Sequence, residues 1–476
     1  EWCDDGPDHR WERARHRRVR DFLSDGTSDH SSETMFEGVQ QIRGGECLSL
    51  NLAAWSPGEP LQIRRWYDIL KSGTIDIDEA SAGEQFRELL TDSVRLHLRS
   101  DVPVGSCLSG GLDSSSIVCL MDQLLSAGGG SARVNTVSAC YDEKALDERP
   151  YMEAVLAQTN CQPNFVYPRV SDAFDLAEKI TWQQDEPYGS TSIFAQWCVF
   201  EAARKAGVKV MLDGQGADEQ LAGYHSGFGY YLADLIRTRR VVDLLQTLRQ
   251  RGEYHGLSFV GQVKSALLPL LPSKLAGLVR HQRTAYAHHD WLNSPMLKPL
   301  AHELNAFDTA LTELGLGRVR DIGGLCVALT QGSNLAMLLH WEDRNSMAHG
   351  VEARVPFLDH RLVEFSIALG RQHKIVHGDT KRVLRRAMAN ILPPAIANRR
   401  DKLGFATPEE AWFRGPARIL VQEGVEDTLS RYPDLLNPVG TRALMADMLN
   451  GRRTVDFTLW RVINIGIWGK VFGVTA

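Results

Sequence analysis

The stretch CLSGGLDSSS (residues 107–116) lies one residue after the apolar run VPVG (102–105) and contains two glycines, one aspartate and four serines. An apolar run that ends in a Gly-rich turn and continues into a helical pattern predicts a strand, a turn and a helix N-terminus. Such a helix start presents unpaired backbone N–H groups and a partial positive charge. The stretch therefore predicts an anion-binding loop at the carboxyl end of a strand.

The composition of this loop narrows what it binds. It lacks the lysine of a GxxxxGK[ST] phosphate loop, and it does not match GxGxxG. Asp113 beside phosphates would be repulsive unless a metal lies between them, which suggests Mg²⁺ with oxygen ligands. The alternative is a tight strand-to-helix turn in which Asp113 or Ser114 caps the helix.

Strand and helix patterns alternate on both sides of the loop, with short connections between them. This order predicts an α/β fold in which helices cover both faces of a parallel sheet. Ligands bind such sheets at the carboxyl ends of the strands, where both Gly-rich turns, 109–115 and 213–219, are expected. The predicted strands are 102–108, 133–141, 164–168 and 208–214, and the predicted helices are 80–100, 114–128, 148–159 and 191–207.

The rest of the chain differs from this pattern. Residues 1–75 are irregular and β-rich, with alternating segments at 46–52 and 61–69. A second domain is expected over 76–476, with a basic helical insertion at about 225–330 and a helical C-terminal part. We expect this insertion either to form a pair of helices that pack on the domain and keep a solvated basic face, or to contact a partner.

Composition excludes several classes of function. The chain has 476 residues and a net charge of -6, which gives no reason to expect nucleic acid as a partner. Eight cysteines without a CxxC pair or zinc-like spacing predict a reducing, cytoplasmic compartment. No apolar run in the sequence predicts a membrane span.

Five further segments carry a family resemblance. Together with the loop they resemble the synthetase domain of glutamine-dependent asparagine synthetases, within the ATP pyrophosphatase (PP-loop) superfamily. The resemblance implies an adenine nucleotide α-hydrolase-like fold and an AMP-forming carbon–nitrogen ligase with ATP and Mg²⁺ as cofactors. The segments are QDEPYGSTS (184–192), VKVMLDGQGADEQLAGYH (208–225), EDRNSMAHGVEARVPFLDHRLVEF (342–365), KRVLRRAM (381–388) and LGFATP (403–408).

The same resemblance implies roles for individual residues. Lys381 would support charge during adenylation, with a solvated helix lysine as the alternative, while Asp343 and Arg354 could equally be buried ion-pair partners. His349 is expected to be a core histidine. The phosphate contacts would be Ser109, Gly110, Gly111, Leu112, Asp113, Ser114 and Ser115; the adenosine contacts Leu108, Ala139, Asp213 and Gly214; the Mg²⁺ ligands Asp113 and Asp218; and the acyl pocket Asp343, Arg344, Ser346, Glu352 and Arg354.

Two positions depart from the family pattern. Gln215 stands where the family carries a glutamate thought to act on the attacking ammonia. An amide is not a general base, so that role is lost or moves to Asp213, Glu219 or the adenylate. The glutaminase half of the family begins with a cysteine at its N-terminus. This sequence begins with Glu1, and its first cysteine is Cys3. We therefore expect a truncated glutaminase remnant or amide formation without glutamine.

The expected reaction is adenylation of a carboxylate, by default aspartate, followed by transfer to ammonia or an amine. Glutamine would be a substrate only with a complete N-terminal amidotransferase domain, and a homodimer is one open oligomeric state. One alternative is an amide, lactam or macrocycle synthetase of secondary metabolism or polysaccharide biosynthesis. The other is an inactive ATP-binding scaffold, against which Asp113, Asp218 and Lys381 count.

Overall fold

A computed structural model describes residues 13–127, 133–271, 290–292, 294–401 and 404–475. The strands are β1 (Glu46–Leu48), β2 (Ile63–Arg65), β3 (Val104–Cys107), β4 (Asn135–Ala139), β5 (Gln162–Val166), β6 (Val210–Leu212), β7 (Glu352–Arg354), β8 (Ile375–Val376) and β9 (Asp379–Thr380). Five of them form one sheet in the order β5–β4–β3–β6–β7, and every neighbouring pair in it is parallel. The predicted parallel α/β sheet is confirmed.

The helices connect these strands and form the C-terminal part. Their bounds are α1 His16–Asp25, α2 Glu79–His97, α3 Leu112–Ala127, α4 Arg149–Leu156, α5 Val170–Asp175, α6 Ala177–Gln184, α7 Ser192–Lys205, α8 Ala217–Gln220, α9 Gly227–Arg237, α10 Val241–His255, α11 Phe259–Leu270, α12 Ala306–Glu313, α13 Ile322–Val327, α14 Asn334–Ala348, α15 His360–Ala368, α16 Arg382–Met388, α17 Pro394–Ala397, α18 Glu409–Arg414, α19 Arg418–Arg431, α20 Pro438–Leu449 and α21 Thr458–Phe472.

Two apolar layers cover the two faces of the sheet. On one face, Phe200 of α7 packs with Val137 and Met211. On the other, helices α2 and α3 contribute Phe86 and Ile117 to a larger buried cluster. The inner strands β3, β4 and β6 are accordingly mostly buried, since their side chains meet helices on both faces, while the edge strands β5 and β7 keep exposed residues.

Strand register brings the two Gly-rich turns side by side. Ser106 of β3 is paired with Leu212 of β6, so the residues that follow each strand emerge together at the carboxyl edge. The turns touch, since a Cβ on Gly214 would lie 3.0 Å from the Cβ of Asp113. The edge strand β7 was not predicted, because three residues are too few to show a period.

The N-terminal segment packs against the helical part of the chain. Its strands β1 and β2 lie within the two predicted segments but are shorter, and they pair antiparallel, which the sequence did not predict. All three residues of β2 are exposed, so the predicted alternation of burial is absent there. Helix α1 contacts α21, and the buried guanidinium of Arg20 donates to the carbonyls of Leu300 at 2.7 Å and Leu304 at 2.6 Å. The domain boundary near residue 75 stays a prediction, and Glu1 and Cys3 lie outside the described residues.

One helical stretch among the described residues, Ile322–Ala348, is long and apolar enough to cross a membrane, judged by length and composition alone. The sequence did not predict this stretch. It consists of two helices, α13 and α14, that one π-helical turn at Ala328–Gly332 connects. Half of its most apolar window is buried in the protein, and α14 packs against α6 and α7. Those contacts account for its apolar side chains as part of the core.

Candidate active site

A cavity of about 340 Å³ lies at the carboxyl ends of β3, β4 and β6. Its wall contains both Gly-rich turns and residues from the C-terminal part of the chain. Of the residues predicted from the sequence, it contains Leu108, Ser109, Gly111, Leu112, Asp113, Ser114, Ala139, Asp213, Gly214, Gln215, Asp218 and Lys381.

The loop after β3 is organised by its serine hydroxyls. The Oγ of Ser114 accepts from the backbone N–H of Ser109 at 3.2 Å and lies 3.0 Å from the Ser109 Oγ. The backbone N–H of Gly111 donates to the Ser109 Oγ at 3.3 Å. Helix α3 begins at Leu112, so its first N–H groups and its positive dipole end lie at the cavity. This geometry suits a phosphate, which would add its oxygens to the same donors.

Two carboxylates and one ammonium meet beside this loop. The Nζ of Lys381 lies 2.5 Å from the Asp113 Oδ2 and 2.6 Å from the Asp218 Oδ1, and the lysine side chain is 6% exposed. Burial acts to lower the pKa of Lys381, but the two aspartates outweigh it, and the pKa is raised. Lys381 is therefore a fixed positive charge at neutral pH. Gly223 leaves space here, since a Cβ on it would collide with Asp218 and Lys381.

The same pair of carboxylates fits a divalent cation. Asp113 and Asp218 come from separate strand ends and converge on one point, which Lys381 now approaches. Carboxylate oxygens are the ligands that Mg²⁺ prefers, and Mg²⁺ usually takes one or two of them together with substrate phosphates. Within the described ranges, no group of three His, Cys, Asp or Glu side chains could hold a metal. The fit is therefore to a metal that arrives with a phosphate ligand.

The opposite wall is less charged. Leu108, Val137, Ala139 and Ile193 line it, which suits the planar face of a nucleoside base. Asp213 lies at its edge, where its Oδ1 accepts from the backbone N–H of Gly214 at 2.5 Å. Burial is the main cause that raises the pKa of the Asp213 carboxyl.

Gln215 lines the cavity and donates a hydrogen bond to the buried Glu342. Burial, with a smaller contribution from Asp213, raises the pKa of Glu342 well above its usual range, while a hydrogen bond from Gln215 acts the other way. The Glu219 Oε1 accepts from the Tyr224 hydroxyl at 2.5 Å and from the Asn334 amide at 2.7 Å. Burial, then Asp218, raises the pKa of Glu219. The neighbourhood of Gln215 therefore disfavours further negative charge.

The residues predicted for the acyl pocket lie elsewhere and do not line this cavity. Arg344 forms an ion pair with Asp185 at 2.7 Å, and the Ser346 hydroxyl donates to the carbonyl of Asp343 at 3.0 Å. Glu352 and Arg354 belong to β7, where they pair at 2.8 Å. Their roles in substrate binding stay predictions.

Three other residues named in the sequence analysis, Gly110, Ser115 and His349, pack inside the protein and do not line the cavity. Gly110 and Ser115 belong to the loop and its helix but do not line the cavity; Ser115 is fully buried. His349 packs edge-on against Trp197 with ring centroids 4.4 Å apart, and burial lowers its pKa to about 4. Leu403 of the predicted 403–408 segment lies outside the described residues.

The cavity also contains residues that the sequence did not single out. Tyr141 follows β4, and its place after a strand was a usable signal. The others come from separate parts of the chain; Arg385 and Phe405 lie in two of the segments that carry the family resemblance, and the rest had no local pattern. They include Glu148, Trp341, Arg385, Arg399 and Phe405.

The fold and this cavity define an α/β protein with an anion loop and a convergent acidic pair at the ends of parallel strands. A sequence model of the family described as asparagine synthase matches residues 85–470. The match covers most of the chain, so the protein belongs to the asparagine synthase family, as the resemblance predicted.

Individual relatives are more distant. The chain is 25% identical to asparagine synthetase [glutamine-hydrolyzing] 1 of Bacillus subtilis, over 93% of this chain and 69% of that protein. It is 38% identical to a putative asparagine synthetase [glutamine-hydrolyzing] 2 of Methanocaldococcus jannaschii, over 34% of this chain and 30% of that protein. It is 24% identical to the amidase chry2 of Gibberella zeae, over 93% of this chain and 69% of that protein. The chain therefore spans only part of the length of these relatives.

Proposed function

We propose that this chain is an ATP-dependent, amide-forming ligase that activates a carboxylate as an acyl-adenylate and transfers it to ammonia or an amine. One observation supports the proposal. Asp113, Asp218 and Lys381 converge beside an anion loop, and the same cavity is lined by the apolar residues proposed to contact the nucleoside. A family member without nucleotide chemistry would have no need to hold these three charges together.

The first half-reaction uses the loop. The serine hydroxyls and the start of α3 would bind the β- and γ-phosphates, and Leu108 and Ala139 would contact the nucleoside. A carboxylate oxygen attacks the α-phosphorus, the bond from that phosphorus to the bridging oxygen breaks, and pyrophosphate leaves into the loop. Asp113 and Asp218 would hold Mg²⁺, which when bound neutralises charge on the phosphates. Lys381 supplies a fixed positive charge to the same oxygens.

The second half-reaction needs a proton acceptor. The amine nitrogen attacks the acyl carbon, AMP leaves with the bond electrons, and the nitrogen loses a proton. Gln215 cannot take that proton. The groups near it that can are Asp213, Glu219 and the phosphate of the adenylate, and burial raises the pKa of both carboxyls. A raised pKa makes a carboxylate a better proton acceptor once it is ionised.

The default acid is aspartate and the default nitrogen donor is ammonia. A second candidate is a different acid or amine, including closure of a lactam or macrocycle. Gln215 favours this second candidate, because an amide donates and accepts hydrogen bonds where the family's glutamate only accepts. A relative with a different printed activity, the Gibberella amidase, matches the chain over a similar length.

Acid-dependent ATP–pyrophosphate exchange tests the proposal. The chain is incubated with MgATP, labelled pyrophosphate and a panel of acids, and nucleotide products are separated by chromatography. We expect exchange with one class of acid, and AMP rather than ADP after an amine is added. Production of ADP and phosphate would contradict adenylation. Tight ATP binding without exchange for any acid would instead support the inactive scaffold.

A further inference from the structure

The turn at Gly110 depends on contacts from distant parts of the chain. Gly110 has a φ of +71°, a left-handed conformation that suits glycine. A Cβ at this position would lie 2.6 Å from the Cβ of Tyr151 and 3.0 Å from the backbone nitrogen of Met152. The outer side of the loop is thus packed against α4.

Arg399 joins these parts. Its Nη1 donates to the carbonyl of Gly110 at 3.0 Å, and its Nη2 pairs with the Glu148 carboxylate at 2.7 Å. The guanidinium carbon lies 3.9 Å from the ring centroid of Tyr151, and the side chain is 3% exposed. Its Nε and Nη2 also donate to the Asp401 Oδ2 at 3.3 and 3.1 Å. One planar group therefore makes three kinds of contact at once, to a carbonyl, to carboxylates and to an aromatic ring, a combination that suits arginine and not lysine.

These contacts fix the orientation of one peptide group. In a trans peptide the carbonyl and the next N–H point in opposite directions. With the Gly110 carbonyl held by Arg399, the N–H of Gly111 points the opposite way and donates to the Ser109 Oγ at 3.3 Å, and Ser109 and Gly111 both line the cavity. We propose that Arg399 is a positioning residue, which holds the loop with the Gly111 N–H directed at the phosphates.

A second arginine ties Arg399 to the cation site. Arg385 of α16 donates to the carbonyl of Arg399 at 2.7 Å and to that of Thr380 at 2.9 Å. Thr380 precedes Lys381, whose Nζ contacts Asp113 at 2.5 Å on the inner side of the same loop. The loop is thus held by Arg399 at the Gly110 carbonyl and by Lys381 at Asp113, and Arg385 of α16 links the two supporting segments.

The test compares Arg399→Lys and Arg399→Ala with a matched control, Arg414→Ala. Arg414 also donates to two backbone carbonyls, those of Met448 at 3.0 Å and Arg453 at 2.9 Å, but outside the cavity. The readouts are the KM for ATP in exchange, MgATP affinity by calorimetry, and backbone hydrogen exchange of residues 108–116. We expect both Arg399 variants to raise the KM for ATP about tenfold or more, and the loop amides to exchange faster.

Lysine separates positioning from charge. It keeps the positive charge but cannot make the three contacts together, so Arg399→Lys should be nearly as impaired as Arg399→Ala. Recovery of wild-type KM by lysine would show that only charge matters and would overturn the proposal. A lowered Tm with unchanged KM and unchanged exchange of the loop, as expected for Arg414→Ala, would overturn it too.

A milder variant covers the case in which Arg399→Ala does not fold. Glu148→Gln keeps the shape of the partner and removes its charge, so we expect a rise of about threefold in the KM for ATP. Unchanged KM and loop exchange in this variant and in Arg399→Lys would reject the proposal. The proposal rests on the ligase function for its KM readout only. If the wild-type chain shows no exchange activity, that function fails, while calorimetry and hydrogen exchange still decide the role of Arg399.

Discussion

Replacement of Asp113 by asparagine tests the centre of the proposed site. The substitution keeps the shape of the side chain and removes one of the two charges that face Lys381. Lys381 keeps its contact with Asp218 at 2.6 Å, so no buried charge loses its last partner. We therefore expect a folded protein with a Tm close to that of the wild type.

Exchange activity should fall much further than stability. A hydrogen bond between charged groups is worth about 1.5–3 kcal/mol, which corresponds to roughly tenfold to a hundredfold in rate. Asp113 loses such a contact, at 2.5 Å, and also one of the two proposed metal ligands. The expected loss of acid-dependent ATP–pyrophosphate exchange is therefore at least a hundredfold on that scale. The Mg²⁺ concentration for half-maximal exchange should also rise.

Two comparisons make this result interpretable. Asp218→Asn should behave in the same way, since the two carboxylates face one ammonium. Asp243→Asn removes a partly exposed acid that pairs with Arg240 at 2.7 Å and does not line the cavity, and it should leave exchange unchanged. Near-normal exchange in folded Asp113→Asn, at an unchanged Mg²⁺ requirement, would refute the assignment of this site.

Three further substitutions test separate parts of the structure. Gln215→Glu should leave exchange within about tenfold and change amide formation more, because we propose that this position contributes only after AMP has formed. Collapse of exchange alone would place Gln215 in the ATP site. Gly223→Ala should lower exchange by about tenfold to a hundredfold, since the new methyl group collides with Asp218 and Lys381; full activity would mean that the Lys381 position is not needed. Burial raises the pKa of Glu409 to about 7, so its ionisation destabilises the fold as pH rises from about 4.5 through 7. Glu409→Gln should therefore raise Tm by roughly 2–4 °C more at pH 8 than at pH 5, and an equal effect at both would contradict this origin.

The parallel sheet could be predicted because its signals are local. Each strand from 104 to 212 is a short segment with apolar residues that lies beside a helical period, and the order of elements implies parallel pairing. The same logic placed Asp113 and Asp218 at one edge before any distance was known. It could not reveal Lys381 as their shared partner, which lies 268 residues beyond Asp113 and whose assignment came from the family resemblance.

The contacts by which Arg399 and Glu148 support the loop had no local sequence pattern that could predict them. Arg399 and Glu148 are far apart in sequence, and each is one charged residue in a polar segment that also suits a solvated surface. Their pairing depends on α17 and α4 packing beside the sheet, a long-range event that no local period encodes. Yet burial of the Arg399 guanidinium at 3% exposure is costly unless its donors are satisfied. The fold places Glu148, Asp401 and the Gly110 carbonyl where they accept from these donors. The same guanidinium therefore also orients the loop that would hold pyrophosphate.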